Sequence, residues 1–218
     1  GTDIHNDIVS TLLSSYYHLP QHLQYCFAYC SIFPKNWKFD HKKLIRMWIA
    51  QGFVQTESGS LLEDLGIEYF KELLARSFFH TLRQGNRMHY VMHDLIHDLA
   101  QTVSHSGCAR VEGNMSKSIP SSVRHISVSS NFLSHLKKQC DLRRLRTLIV
   151  YKDSLMTSST IPVDFLSEVK NVRTLDLTGC LISELPKAIG YLIHLRYIAL
   201  PDTIKVLPES VSMLLHLQ

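Results

Sequence analysis

The sequence predicts an α+β chain with more than one domain, in which a mainly helical part is followed by a solenoid of parallel strands. Two observations support this fold class. Apolar residues recur at helical spacing as far as about residue 104, whereas a leucine pattern recurs every 22 or 23 residues in the second half. Hydrophobic residues make up 45% of the 218 residues and charged residues 19%, which suits a packed protein rather than a disordered one.

Capping residues mark the ends of the first helices. A helical pattern begins at Pro20, a residue that suits the first turn of a helix, and Pro34 ends it. Asp40 is placed to cap the next helix, and Gly52 follows as its stop. The apolar face of this second helix, which we expect to be buried, carries Leu44, Met47 and Trp48.

A third helix and a hairpin follow. Ser60 and Glu63 form an S-x-x-E capping box ahead of the third helix. Two β-prone runs, residues 77–82 and 88–91, are joined by the polar residues 83–87 and predict a hairpin.

A closing helix begins at about His93. Its predicted apolar stripe consists of Leu95, Ile96, Leu99 and Val103. Helices, then a hairpin, then a helix is the order found in a winged helix, which we predict for residues 1–106.

The second half repeats itself. Residues 172–177, VRTLDL, are echoed 23 residues later by LRYIAL at 195–200. Looser copies of the same pattern occupy residues 123–128 and 145–150. A period in the low twenties with an LxxLxL core is the signature of leucine-rich repeats, each of which supplies one short parallel strand. We therefore predict a leucine-rich-repeat solenoid over 122–218, incomplete at its C-terminal end, after a junction at 107–121.

Cysteine usage indicates a reducing compartment. The number of cysteines is odd and no CxxC pair occurs, so we expect reduced thiols in the cytoplasm or the nucleus. Cys26 and Cys30 lie among apolar residues and should be small buried core residues. Cys180 should occupy the turn after a repeat strand. No signal-peptide pattern opens the sequence, and its apolar stretches are shorter than the roughly 18 residues of a membrane span.

Two alternative functions have support in the sequence. His89, His93 and His97 are spaced four apart, and a continuous helix would align them as zinc ligands. The predicted strand at His89 breaks that ridge, and HExxH is absent because Asp94, Leu95 and Ile96 separate the other two histidines. This weakens the case for a metal-dependent enzyme.

The second alternative is a DNA-binding winged helix. Lys42, Lys43 and Arg46 lie on one helix, which could dock phosphate. The net charge of +4 is mild and no dense basic run occurs, so composition does not require a nucleic-acid partner. The expected burial of the apolar face of that helix also argues against this function.

The sequence does not contain the P-loop motif of ATP-binding proteins. No Gly-Lys pair occurs, so the P-loop pattern GxxxxGK[ST] is absent. We therefore expect no enzyme activity from these residues alone.

Four ordered blocks resemble one family. Residues 13–34 resemble its LSYxxLPxxLKxCFxYCxxFP block, and residues 44–53 its LIxLWIAEGF block. Residues 69–79 resemble its YFxxLxxRSFF segment, and residues 92–100 its MHD motif with the usual tail. The chain thus resembles part of a plant intracellular NLR immune receptor of the coiled-coil type, with the winged helix of its NB-ARC nucleotide switch and its first leucine-rich repeats.

The resemblance implies a switch that binds ADP or ATP in the longer receptor. His93 would contact the ADP β-phosphate in the resting state, with Met92 and Asp94 supporting its position. Partners implied by the likeness are the upstream nucleotide-binding subdomains, and a pathogen effector or guarded host protein held by the repeats. The repeats would also hold the switch closed.

Overall fold

A computed structural model of the chain describes residues 2–56, 61–104, 107–112, 119–152, 161 and 164–218. The chain divides into two compact units, Gly1–Cys108 and Ala109–Gln218. The first is mainly helical, and the second is built on a five-stranded sheet. The predicted combination of a helical part and a part with parallel strands is confirmed.

The described elements of the first unit are helices and one antiparallel hairpin. In chain order they are α1 Thr2–Tyr17, α2 Gln21–Tyr29, α3 His41–Gln51, α4 Leu62–Ala75, strands β1 His80–Gln84 and β2 Arg87–Val91, and α5 Asp94–Val103. A single 3-10 turn, Cys30–Ile32, follows α2 directly. The sequence patterns predicted every one of these helices except α1.

Local chemistry explains where the early helices begin and end. Pro20 is the residue before α2 rather than its first helical residue. The Asp40 carboxylate accepts the backbone N–H of Lys42 and of Lys43, as its capping role predicts. Gly52 ends α3 in the left-handed region with φ of 81°, which costs a residue without Cβ little.

The segment around α4 differs from the sequence prediction. The residue that precedes α4 is Leu61, which makes no side-chain cap bond, and the predicted cap Ser60 lies outside the described residues. After α4 the chain turns through Ser77 with φ of 64°, and Phe78 and Phe79 are buried. Strand β1 therefore begins at His80, because residues 77–79 form the turn and part of the core.

Aromatic side chains form much of the core of the first unit. Phe70 lies between Phe79 and Tyr90, with ring centroids 5.1 Å and 4.7 Å away. Trp48 on α3 is fully buried, and its ring lies 6.2 Å from that of Phe70. The large rings of α3, α4 and the hairpin thus pack together, which contributes both apolar burial and ring–ring contact.

The second unit consists of short strands, each followed by a turn or a short helix. Its elements are β3 Cys108–Val111, β4 His125–Ser129, α6 Leu133–Gln139, β5 Thr147–Tyr151, α7 Phe165–Glu168, β6 Thr174–Asp176 and β7 Tyr197–Ala199. The sheet has the order β3-β4-β5-β6-β7, the order of the strands in the chain.

Strands β4 to β7 pair in parallel at matching positions of the repeated pattern. Ile126 lies beside Leu148, Leu148 beside Leu175, and Leu175 beside Ile198. The predicted neighbourhood of the strands near 175 and 198 is confirmed. The apolar pattern sets this register because a shift of one residue would turn the leucines out of the core.

The predicted junction at 107–121 contains structure that its composition did not indicate. It holds β3, and both Val111 and Ile119 are buried in the core of the second unit. The division between the units falls after Cys108. The edge strand went unrecognised because four residues are too few to display a period.

The cysteines are unbridged, as predicted. Cys26 and Cys30 are fully buried, and burial raises the pKa of both thiols well above the ordinary value. Cys180 is also buried, and its N–H donates to the Leu177 carbonyl in the turn after β6.

We expect a bulky thiol reagent at pH 8 to label Cys140, which is only partly buried, before it labels Cys26 and Cys30 in the folded chain. Access decides the order, because burial raises the pKa of all three thiols, that of Cys140 to about 11, whereas only Cys26 and Cys30 are fully buried. Peptide mass spectrometry over time measures the order, and denatured protein, in which all sites should react alike, serves as control. Early labelling of Cys26 or Cys30 would contradict the buried placement.

Gly179 is required by a close approach of backbone. A Cβ on this residue would lie 2.3 Å from the carbonyl carbon of Tyr151 and 2.4 Å from the nitrogen of Lys152. We expect Gly179→Ala to lower the free energy of unfolding by about 1–3 kcal/mol, because backbone cannot move aside as a side chain can. Urea unfolding measures this, with Gly107→Ala as control, since its nearest atom is 4.0 Å away. Equal stability of the two variants would refute the close approach.

Candidate functional site

The candidate site lies where strand β2 passes into helix α5. β2 ends at Val91, Met92 is buried, and His93 is the extended residue that precedes α5. The first helical hydrogen bond runs from the N–H of His97 to the carbonyl of His93, at 2.9 Å. Burial of Met92 anchors the connection, and His93 follows it at the surface.

The side chain of His93 is exposed and makes no capping hydrogen bond. The first N–H groups of a helix have no partners within it, and the helix dipole places partial positive charge there. A ring N–H on the residue before the helix adds a further donor. This arrangement favours an anion beside His93.

Asp94 is the first residue of α5 and is also exposed. Its carboxylate lies in the first turn, where negative charge interacts favourably with the helix dipole. Within the described residues no hydrogen bond or ion pair joins Asp94 to His93. The structure therefore gives Asp94 a role in the start of the helix.

His97 has a structural role that the sequence pattern did not predict. It is only 1% exposed, and its Nε2 donates to the carbonyl of Phe33 at 2.7 Å. In the sequence alone, the alternative to a zinc site is that the histidines form the polar edge of an amphipathic helix, and for His97 that interpretation is wrong. Leu95, predicted on the apolar stripe, is 37% exposed instead, so the buried face of α5 is rotated toward His97, Leu99 and Ala100.

The three histidines of the metal hypothesis lie in different local structures. His89 is on β2, His93 is before α5, and His97 is turned into the core. Asp98 forms an ion pair with Lys35 at 2.6 Å. In the part of the chain that the structure describes, no group of three His, Cys, Asp or Glu residues is arranged to hold a metal ion.

Comparison with known proteins agrees with this architecture. Residues 32–100 match the family described as the winged helix domain of disease resistance proteins. A disease resistance protein of Arabidopsis thaliana is 38% identical over 223 residues, covering 98% of this chain and 16% of that protein. An RPP13-like disease resistance protein of the same plant is 31% identical over 88% of this chain and 21% of its own length. Disease resistance protein RGA2 of Solanum bulbocastanum is 34% identical over 87% of this chain and 17% of its own length.

The chain belongs to the plant disease resistance proteins. The predicted winged helix is confirmed, and the match covers α3, α4, the hairpin and most of α5. The chain spans between 16% and 21% of the length of these relatives. Among the described helices of this disease resistance protein, none has the length and apolar character of a membrane span.

The DNA-binding alternative finds little support in the winged helix. Lys42, Lys43 and Arg46 are exposed on α3, but the opposite face of that helix is in the core, as predicted. Helix α4, which precedes the hairpin, exposes Glu63 and Asp64. Carboxylates on that helix would repel DNA phosphates.

The structure contains a basic cavity that was not predicted from the sequence. It lies in the second unit, and its described lining includes five arginines and no acidic residue. The available signal was the arginine that follows the first apolar residue of each repeat, at positions 124, 146, 173 and 196. A search for the leucine pattern alone misses this recurring arginine.

We expect His97→Ala to lower the free energy of unfolding by about 1–3 kcal/mol, because it removes a buried hydrogen bond to the Phe33 carbonyl. His93→Ala should change it by less than about 0.5 kcal/mol, since that side chain is exposed. Denaturant unfolding measures both. His97→Gln, which keeps a donor, should recover part of the loss. The structural role of His97 would be disproved if the two alanine variants were equally stable.

Proposed function

We propose that this chain is the regulatory part of a nucleotide-switched plant immune receptor. In this proposal the winged helix holds the ADP-bound resting state through His93, and the second unit is a leucine-rich-repeat solenoid that restrains the switch and recognises an effector or a guarded host protein. Family membership supports the receptor role. The observation that carries the nucleotide part is the exposed His93 at the N-terminus of α5.

The surroundings of His93 suit a phosphate sensor. Met92 and His97 are both buried, and the bond from His97 to Phe33 holds α5 against the turn after α2. His93 is thus fixed at its backbone while its ring stays accessible. A donor held in place before the ligand arrives loses little conformational freedom on binding.

The rest of the nucleotide site would come from other segments of the receptor. The P-loop pattern is absent from this sequence, so these residues would supply one phosphate contact to ADP or ATP. Holding a phosphate requires no proton transfer or nucleophile. The role proposed for this chain is therefore that of a sensor and not of an enzyme.

The second unit supports the solenoid part of the proposal. Its strands β4 to β7 are parallel and in register at the repeated apolar positions, and their side chains share one core. Stacked repeats of this kind present an extended surface suited to protein partners. The unbridged cysteines fit a receptor that works in the cytoplasm or nucleus.

The test uses a receptor of full length that contains this chain. One hydrogen bond to a charged group is worth roughly 1.5–3 kcal/mol, so His93→Ala should shift the ratio of closed to open receptor by about 10- to 150-fold. We expect less ADP retained on purification and cell death without elicitor in leaf expression assays. Asp94→Val should act in the same direction if the start of α5 positions His93.

Matched controls exist within the winged helix. His89→Ala changes a histidine on the hairpin, and Asp64→Val changes an exposed carboxylate in the first turn of α4. Both should retain ADP and remain silent without elicitor. Normal ADP retention together with no autoactivity in His93→Ala would reject the sensor role.

A further inference from the structure

We propose that the second unit binds a compact, multiply charged phosphate anion in an arginine-lined cavity beside its parallel sheet. This site lies entirely within the second unit and does not involve His93. Its test is therefore independent of the proposed nucleotide switch.

The cavity originates in the register of the sheet. Arg124, Arg146 and Arg173 each stand directly before a strand, β4, β5 and β6 respectively. The Arg124 carbonyl accepts the N–H of both Arg146 and Thr147, and the Arg146 carbonyl does the same for Arg173 and the residue after it. Neighbouring strands lie about 4.8 Å apart, so these bonds stack the arginines at that interval.

Two further arginines line the same cavity, which has a volume of about 380 Å³. They are Arg143 and Arg144, and the lining is completed by Asn171 and His194. Arg143 forms an ion pair with Asp141 at 2.9 Å, and Arg144 donates to the Ser121 carbonyl. Among the described residues that line the cavity none is a carboxylate, and five guanidinium groups line the same space.

Burial and, after it, the crowding of positive charge shift the pKa of neighbouring groups. The pKa of Arg173 is lowered, first by partial burial and then by the charges of Arg146 and Arg196. Burial, together with the surrounding arginines, lowers the pKa of His125 to about 3, so this ring is neutral at physiological pH. Positive charges held this close attract an anion, which lowers their mutual repulsion. The lining therefore suits a multiply charged anion.

Phosphate groups suit this lining better than isolated carboxylates do. A guanidinium presents a planar fork of donors that binds two phosphate oxygens at once. Arg124, Arg146 and Arg173 span about 10 Å over two strand intervals, so a ligand with several phosphates close together can reach all three. An extended acidic polypeptide would place few of its charges inside so short a cavity.

The probe is sodium tripolyphosphate, titrated into the 218-residue chain by calorimetry and by thermal unfolding. Sodium chloride at equal ionic strength is the comparison. We expect one binding event per chain, a raised Tm that increases with tripolyphosphate concentration, and weaker binding as salt is added. Orthophosphate should bind more weakly, because it reaches fewer arginines.

Variants locate the site. Arg124→Gln combined with Arg146→Gln should weaken tripolyphosphate binding at least about 10-fold, whereas Lys187→Gln combined with Lys205→Gln removes the same charge elsewhere in the unit and should change it little. Lys187 and Lys205 are exposed and do not line the cavity. Arg146→Lys, which keeps the charge but loses the planar fork, should have an intermediate effect.

Folding of the variants is checked by their Tm without anion. The arginine double variant should still unfold in one cooperative transition, while its response to tripolyphosphate is lost. Equal loss of binding in the arginine and lysine double variants would overturn the proposal, since it would show attraction by net charge alone. So would tighter binding of a poly-glutamate peptide or of single-stranded DNA than of tripolyphosphate, because either would mark a macromolecular partner instead.

Discussion

The second unit depends on one recurring backbone interaction, in which the carbonyl of the arginine before β4, β5 or β6 accepts two successive N–H groups. The Arg173 carbonyl, for example, accepts the N–H of Arg196 and of Tyr197. Strands of three to five residues have little stability alone, so each must pair with its neighbours and share their core. The same bonds that align the leucines inward also align the arginines in a row. Core packing and the basic cavity are therefore two consequences of a single register.

The winged helix achieves rigidity in another way, through a core of large rings and one buried polar bond. Apolar burial of Leu99 and Ala100 is non-directional and would by itself tolerate some rotation of α5. The bond from His97 to the Phe33 carbonyl is directional, since it requires a defined distance and angle. It therefore selects the face of α5 that is buried and, with it, the position of the residue at the start of the helix. The buried His97 thus fixes the position of the exposed His93.

Because His93 and His97 have different roles, mutations of the two residues need different interpretations. His93 and His97 are four residues apart and chemically identical, yet one is exposed and the other is buried. Loss of the buried residue should act through stability and lower the amount of folded protein. In the proposed switch, loss of the exposed residue would act on a ligand equilibrium and leave the fold in place. Measurements of abundance and of signalling would separate the two effects, because a destabilised receptor should lose signal whereas a released switch should gain it.

The sequence by itself determined the family, the repeat register and the order of the elements from α2 to α5, because these follow from local chemistry and from periodic patterns. Asp40 and Gly52 act where they stand, and Leu175 lies beside Ile198 because both occupy the same position of the repeated apolar pattern. Tertiary structure alone decided which face of α5 is buried, where β1 begins, and that the arginines of successive repeats enclose a cavity. Those outcomes depend on contacts between residues distant in the chain, such as His97 with Phe33, for which periodicity provides no signal. The edge strand β3 also depends on tertiary structure. Pairing with the neighbouring strand β4 makes it a strand, because its own four residues carry too little signal.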